Sequence, residues 1–185
     1  MKSVCVYCGS SVGLSPAYSQ AAVQCGRALA SRRITLVYGG GNIGLMGVLA
    51  EAALAAGGRV IGVIPQALVR RELAHRGLTR LITVESMHER KQKMADLSDA
   101  FMALPGGIGT MDELFEILTW LQLGIHSKPV GLLNTSGFYA RLLDFLSHMH
   151  DEQFLRNGQL DLLLVDDDLE LLLDKMAAFA PRPLE

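Results

Sequence analysis

Short apolar, β-branched runs alternate along the chain with longer stretches in which apolar positions recur every three or four residues. That alternation predicts an α/β fold, a parallel sheet covered by helices. The expected strands are Ser3–Cys8, Ile34–Tyr38, Arg59–Ile64, Leu81–Val84, Ala100–Leu104, Val130–Leu133 and Leu162–Val165. Each is short and apolar enough to be buried on both faces. The helical patterns run over Ala17–Ser31, Leu45–Ala56, Met87–Leu97, Met111–Leu123, Phe138–His150 and Asp167–Phe179, with Ser86, Thr110 and Ser136 as candidate N-caps. Between the third and fourth strands, Pro65–Thr79 has no clear period and carries Arg70-Arg71-Glu72 and His75-Arg76. It reads as a loop at the open ends of the strands, where loops carry function.

Three strands run into small-residue turns that open helices: Cys8-Gly9-Ser10-Ser11, Gly39-Gly40-Gly41-Asn42-Ile43-Gly44 and Pro105-Gly106-Gly107-Ile108-Gly109-Thr110. All lie at strand carboxyl ends, the edge where an open parallel sheet binds ligands, and a helix N-terminus there offers free N–H groups to an anion. A tight turn explains any one such loop. Three on one edge point to a phosphate. Gly39, Gly41 and Gly44 satisfy G-x-G-x-x-G, but the match follows the second strand and Ile64-Pro65-Gln66 stands where a ribose-binding acid belongs, so NAD is disfavoured. No Gly-Lys-Ser/Thr follows any glycine loop, which argues against a nucleoside triphosphatase.

With 185 residues, the chain suits one domain, 1–185, whose core buries roughly 70% of the unfolded surface. Half the residues are hydrophobic and 19% are charged, which excludes a disordered chain. A net charge of -2, from 17 Lys+Arg and 19 Asp+Glu, argues against nucleic acid as partner. The apolar stretch Val4–Tyr7 is too short for a signal peptide, and Ile34–Ala50 is broken by glycines and closed by Glu51, so neither export nor a membrane span is expected. Three cysteines cannot all pair, which fits reduced thiols in the cytoplasm. Cys5 and Cys8 form C-x-x-C inside a strand and face opposite sides, only Cys25 remains as another thiolate, His148 and His150 diverge on a helix, and His75, His88 and His126 are single. No metal site is expected.

The candidate chemistry lies in two helices. Thr110-Met111-Asp112-Glu113 has capping-box spacing, in which Glu113 serves the helix start. The same Glu113 sits beside a phosphate-compatible loop, where the helix dipole favours an ionised carboxylate able to face a developing cation. Either role suits the spacing. Glu116, one turn on, can orient a substrate hydroxyl or a neighbouring cation. In Ser86-Met87-His88-Glu89-Arg90-Lys91, the apolar stripe through Met87, Met94 and Leu97 also contains Arg90, which therefore points inward and needs an anion, either a carboxylate such as Glu113 or a ligand phosphate. Lys91 fits a solvated surface charge equally well. The segment Leu114–Leu123 is apolar almost all round, as in a fully central helix or one shared between subunits.

Pro105-Gly106-Gly107-Ile108-Gly109-Thr110-Met111-Asp112-Glu113 resembles the PGGxGTxxE signature of the LOG (Lonely Guy) family, often mislabelled lysine decarboxylase. Cys8–Ser11, Tyr38–Gly41, Met87–Lys91 and Leu121–Gly131 extend the resemblance over most of the chain. It implies a homodimeric Rossmann-like hydrolase that cleaves the N-glycosidic bond of cytokinin riboside 5′-monophosphates or AMP, giving free base and ribose 5-phosphate without a cofactor. On this resemblance Arg90 and Glu113 match the catalytic pair. Substrate binding falls to Ser10, Gly40, Gly41, Glu72, Lys91, Gly106, Gly107, Ile108, Gly109, Thr110, Met111, Asp112, Glu116 and Thr119. Ile108 fills a variable place often taken by Tyr in relatives.

Such cleavage builds oxocarbenium character at the anomeric carbon, which an ionised Glu113 can stabilise or attack through a water. Arg90 then holds the phosphate or stabilises the departing base. A sugar phosphate anchored in the glycine loops supplies remote binding energy, so a monophosphate is the expected substrate. A decarboxylase would need pyridoxal phosphate and a Schiff-base lysine, and Lys2, Lys91, Lys93, Lys128 and Lys175 have no supporting motif. The alternative of another class is a non-catalytic nucleotide-binding or carrier module, in which Glu113 is only a cap.

Overall fold

The computed structural model describes residues 1–69 and 74–180. Seven parallel strands form one sheet: β1 (Ser3–Tyr7), β2 (Thr35–Tyr38), β3 (Val60–Pro65), β4 (Arg80–Val84), β5 (Ala100–Ala103), β6 (Val130–Leu133) and β7 (Leu163–Asp166), in the order β4-β3-β2-β1-β5-β6-β7. The helices are α1 (Pro16–Ser31), α2 (Gly44–Ala55), α3 (Met87–Asp96), α4 (Ile108–Gln122), α5 (Ala140–Asp151) and α6 (Leu169–Ala178). This is a doubly wound, Rossmann-like sheet.

Strand alternation divides the core in two. Val4, Val6, Leu36 and Tyr38 pack under α1, α2 and α6, whereas Cys5, Tyr7, Val37, Phe101 and Ala103 pack under α3, α4 and α5. Cys5 and Cys8 accordingly lie in different cores, and both are free and buried. Among the described residues, no helix is long and apolar enough to cross a membrane, and no three His, Cys, Asp or Glu side chains cluster as a metal would require.

Helix starts follow the hydroxyl signals only in part. Ser86 caps α3, its Oγ accepting from Glu89 N at 3.1 Å while the Glu89 carboxylate accepts from Glu85 N at 2.9 Å. Ser136 does not cap α5. It adopts φ +52° in a turn of 3-10 helix, and α5 starts later, at Ala140. The side-chain acceptor in this turn is Asn134, whose Oδ1 takes Tyr139 N at 2.8 Å.

His126 locks the exit of α4 to the entrance of β6. Its Nδ1 accepts from Lys128 N at 3.1 Å, so the ring proton sits on Nε2, 2.9 Å from the Ile117 carbonyl. Burial pulls the imidazole below its ordinary value of 6.5, the Ile117 carbonyl works the other way, and the Lys128 charge adds to the depression. The folded state thus favours the neutral ring. This contribution is fully present above pH 6.5 and is lost as pH falls from there through the lower folded-state value. The thermal midpoint is expected to decline between pH 7 and pH 5, and His126→Gln to flatten part of that slope. Identical slopes in the two proteins refute this role.

Candidate active site

The strand order reverses between β1 and β5, and the crevice at such a reversal is where doubly wound sheets bind ligands. The glycine loops meet there. Gly9 N donates to Pro105 O at 3.1 Å, Leu104 N to Tyr7 O at 2.9 Å, and Leu45 N to Gly9 O at 3.0 Å. The loops after β1, β2 and β5 are therefore laced into one edge, with Ser10, Gly107, Ile108 and Gly109 exposed on it.

α4 starts three residues earlier than its hydroxyl signal suggests. Gly107 is the N-cap, no side chain caps the first turn, and Thr110 is already inside the helix, 3% exposed. The Thr110 side chain stands against Gly106, where an added Cβ would lie 2.0 Å from Thr110 Oγ1 and 2.9 Å from Gly9 N. The hydroxyl fills the space under the loop instead of closing the helix end. The capping box expected over Thr110–Glu113 is thereby overturned: Glu113, the sixth residue of α4, is too far in to serve its start.

Glu113 is half-buried, and its charge is felt at Cys8, just past the end of β1. Burial first, and the Glu113 charge next, raise the Cys8 thiol well above its usual range. Cys5 responds in the same order, with Arg90 acting in the opposite sense, so the charges of Glu113 and Arg90 are both felt at one buried sulfur. Charge from both residues is thus felt inside β1, the strand that leads into the first glycine loop.

Arg90 is 5% exposed, as the stripe on its helix predicts. Its support includes backbone carbonyls that the sequence did not reveal. Nε donates to Val63 O at 3.2 Å and Nη2 to Gly39 O at 3.0 Å, while Met87 Sδ lies 3.8 Å from Nη1. Gly39 directly follows β2 and Val63 lies within β3, so the main chain of two neighbouring strands holds the guanidinium. Gly39 permits the approach, since a Cβ there would lie 2.0 Å from Nη2.

Lys91 is no solvated surface charge. Its ammonium lies 3.2 Å from Asp112 Oδ2 and 3.0 Å from Glu116 Oε1, with the side chain 13% exposed. Burial depresses this group, but the bonds to Glu116 and Asp112 outweigh that and leave it above its ordinary value. Glu116 thus orients a neighbouring cation, and the cluster clamps α3 to α4.

The remaining expected residues spread outward. Gly40 is buried at φ +77°, its carbonyl accepting His75 N at 3.0 Å, and Gly41 forms a bridge with Ala74. Ile108, Met111, Asp112, Phe115, Glu116, Thr119 and Trp120 line an open groove of ≈ 420 Å³ on the outer face of α4. Thr119, eleven residues beyond Ile108, stands about 16 Å along the helix from the glycine loops. Its hydroxyl donates to Phe115 O at 2.6 Å. This chain does not bring Thr119 to Glu113 and Arg90. Glu72 lies outside the described residues.

A doubly wound parallel sheet with glycine loops joined at its topological switch point defines a Rossmann-like fold. Residues 46–176 match the family model described as possible lysine decarboxylase. The chain is 47% identical over 180 residues, 97% of its length and 79% of the relative's, to the cytokinin riboside 5′-monophosphate phosphoribohydrolase LOG5 of Arabidopsis thaliana. It is 52% identical over 154 residues to LOG7 of the same plant, covering 83% of this chain and 71% of that one. With the probable phosphoribohydrolase LOGL6 of Oryza sativa subsp. japonica it shares 46% over 181 residues, 98% of this chain and 72% of the relative. The chain belongs to the LOG family. Among solved structures, the molybdenum cofactor binding protein of Rippkaea orientalis superposes with a TM-score of 0.71 at 21% identity, over 96% of this chain and 97% of that one. The molybdenum cofactor carrier protein of Chlamydomonas reinhardtii does so with the same score and identity, over 96% and 98%. At that identity the likeness shows the fold.

Proposed function

We propose that the protein is a nucleoside 5′-monophosphate phosphoribohydrolase, which cleaves the N-glycosidic bond of cytokinin riboside 5′-monophosphates or AMP with water and releases free base and ribose 5-phosphate. The observation that carries this reading is that the charges of Glu113 and Arg90 are both felt at Cys5 in β1, with Glu113 lying past the first turn of α4. The activity named for relatives up to 52% identical supports it.

The phosphate sits against the uncapped first turn of α4, Gly106 to Gly109, with Ser10 and Thr110 completing the loop edge. That anchor places the anomeric carbon near Glu113. As the bond to the base breaks, the carboxylate faces the oxocarbenium ion and takes the proton of the attacking water. Arg90, held by the carbonyls of Gly39 and Val63, lies on the side of the site away from the α4 turn, so it acts on the departing base and not on the phosphate. Lys91, Asp112 and Glu116 keep α3 and α4 in register, and Gly40, Gly41, Glu72 and Met111 complete the substrate-binding set. Adenine release from AMP, followed chromatographically beside a prenylated-adenine monophosphate, tests the assignment. Binding without turnover leaves a carrier module.

We also propose a homodimer. The groove on α4 exposes Ile108 at 86% and leaves Met111, Phe115 and Trp120 half-covered, and a second copy laid on it buries this apolar face. A partner's Thr119 then becomes available to the site that its own chain leaves it far from. Light scattering at micromolar concentration is expected to give twice 20.0 kDa, and a monomer at that concentration counts against the dimer. We propose the cytoplasm as its compartment, where nucleoside monophosphates occur and free cysteines stay reduced.

A further inference from the structure

We propose that Tyr139 is a positioning residue for the phosphate seat: by holding the Leu104 carbonyl, its hydroxyl sets the Pro105–Gly107 turn from which α4 starts. The proposal rests on the reading of that turn as the place where the substrate phosphate binds.

The register between β5 and β6 ends at Ala103–Leu132. The carbonyl that follows β5, that of Leu104, stands at the mouth of the glycine loop, and Tyr139 Oη donates to it at 2.6 Å. A side-chain donor thus continues the ladder at the point where the strand turns toward the ligand edge. Leu104 N donates to Tyr7 O and Pro105 O accepts from Gly9 N, so the Tyr139 bond fixes a segment already tied to the loop after β1.

The tyrosine is itself firmly placed. It is 2% exposed, and the ring of Phe138 meets it edge-on with centroids 4.8 Å apart. Asn134 Oδ1 accepts from Tyr139 N at 2.8 Å, and Asn134 N donates to Asp166 O at the end of β7. Ser136 and Gly137, at φ +52° and +71°, reverse the chain so that Tyr139 turns back beneath the sheet edge. The bonds run from β7 through Asn134 and Tyr139 to Leu104 and the glycine turn. Burial, with the Cys8 thiol beside it, raises the phenol further, so it remains a donor at any working pH. A hydrogen bond of this kind contributes on the order of tenfold to an equilibrium when its loss is transmitted to a ligand site.

Tyr139→Phe keeps the ring and removes only the donor. Calorimetric titration with ribose 5-phosphate is expected to give roughly tenfold weaker binding at unchanged stoichiometry, and the KM for AMP to rise in parallel while kcat changes by less than about threefold. A purely structural role shows instead as fewer competent sites with unchanged affinity, and that result overturns the proposal. So does parental affinity at full stoichiometry. If Tyr139→Phe does not fold, Asn134→Ala carries the test, because it frees the Tyr139 backbone and is expected to weaken ribose 5-phosphate binding by about threefold; unchanged binding in that variant overturns the proposal. A parent protein that binds ribose 5-phosphate but does not release adenine removes the hydrolase reading alone. A parent that does not bind it removes the phosphate seat, and this proposal with it.

Discussion

Replacing Glu113 with Gln is expected to lower adenine release from AMP by roughly 10²-fold or more, with the protein folded and AMP still bound. The substitution keeps the shape of the side chain and most of its hydrogen bonding, and removes the charge. Had Glu113 closed a capping box, the change would cost at most about 1 kcal/mol of stability and leave turnover near parental. α4 begins at Ile108 behind a Gly107 cap, so position 113 lies beyond the first turn and has no helix end to serve. Its charge instead reaches the Cys5 and Cys8 thiols, at Cys5 along with that of Arg90. On the proposed seating of the phosphate in the glycine loops, that charge opposes the positive charge that develops at the anomeric carbon. Its loss acts on the transition state more than on the bound substrate, so kcat falls while the KM for AMP stays within about threefold. The thermal midpoint is expected to move by no more than about 3 °C. Near-parental release of adenine by Glu113→Gln would falsify the catalytic assignment and favour a nucleotide-binding module.

The sheet was legible because its strands are buried on both faces and read as short apolar blocks. Val130–Leu133 is found as expected, and the ends of the other strands move by one residue. Helix starts were less legible where glycine replaced a hydroxyl as the first signal. At α4, Gly107 performs the turn and Thr110 is spent on packing against Gly106, and at α5 a left-handed Ser136 occupies the place read as a cap. The glycine loops and the inward turn of Arg90 were visible in the pattern of small and apolar positions. The partners of Arg90 were not, since they are main-chain carbonyls 27 and 51 residues away whose proximity depends on the order of strands. The same holds for Lys91: the chain crosses from β4 to β5 beside β1, which sets α3 next to α4 and delivers Asp112 and Glu116 to its ammonium.

Arg90→Ala is expected to reduce adenine release from AMP by roughly 10²-fold or more while changing ribose 5-phosphate affinity by less than about threefold. The guanidinium is bound to the carbonyls of Gly39, just past β2, and Val63, within β3, two and three strands away from β5 and the α4 turn proposed to receive the phosphate. On the proposed reading its positive charge meets the base as electrons return to the departing nitrogen, and not the phosphate. Arg90→Lys keeps the charge but presents no planar fork to engage Val63 O and Gly39 O together, so it is expected to recover little of the loss. Gly39→Ala gives an independent check that leaves Arg90 in the sequence. Its methyl group would occupy the place of Nη2, at 2.0 Å, which forces the guanidinium from its seat, and activity is expected to fall about as far as in Arg90→Lys. If Arg90→Ala instead weakens ribose 5-phosphate in proportion to its loss of turnover, the arginine serves the phosphate. If Gly39→Ala retains full activity, these two carbonyls do not set the working position of Arg90.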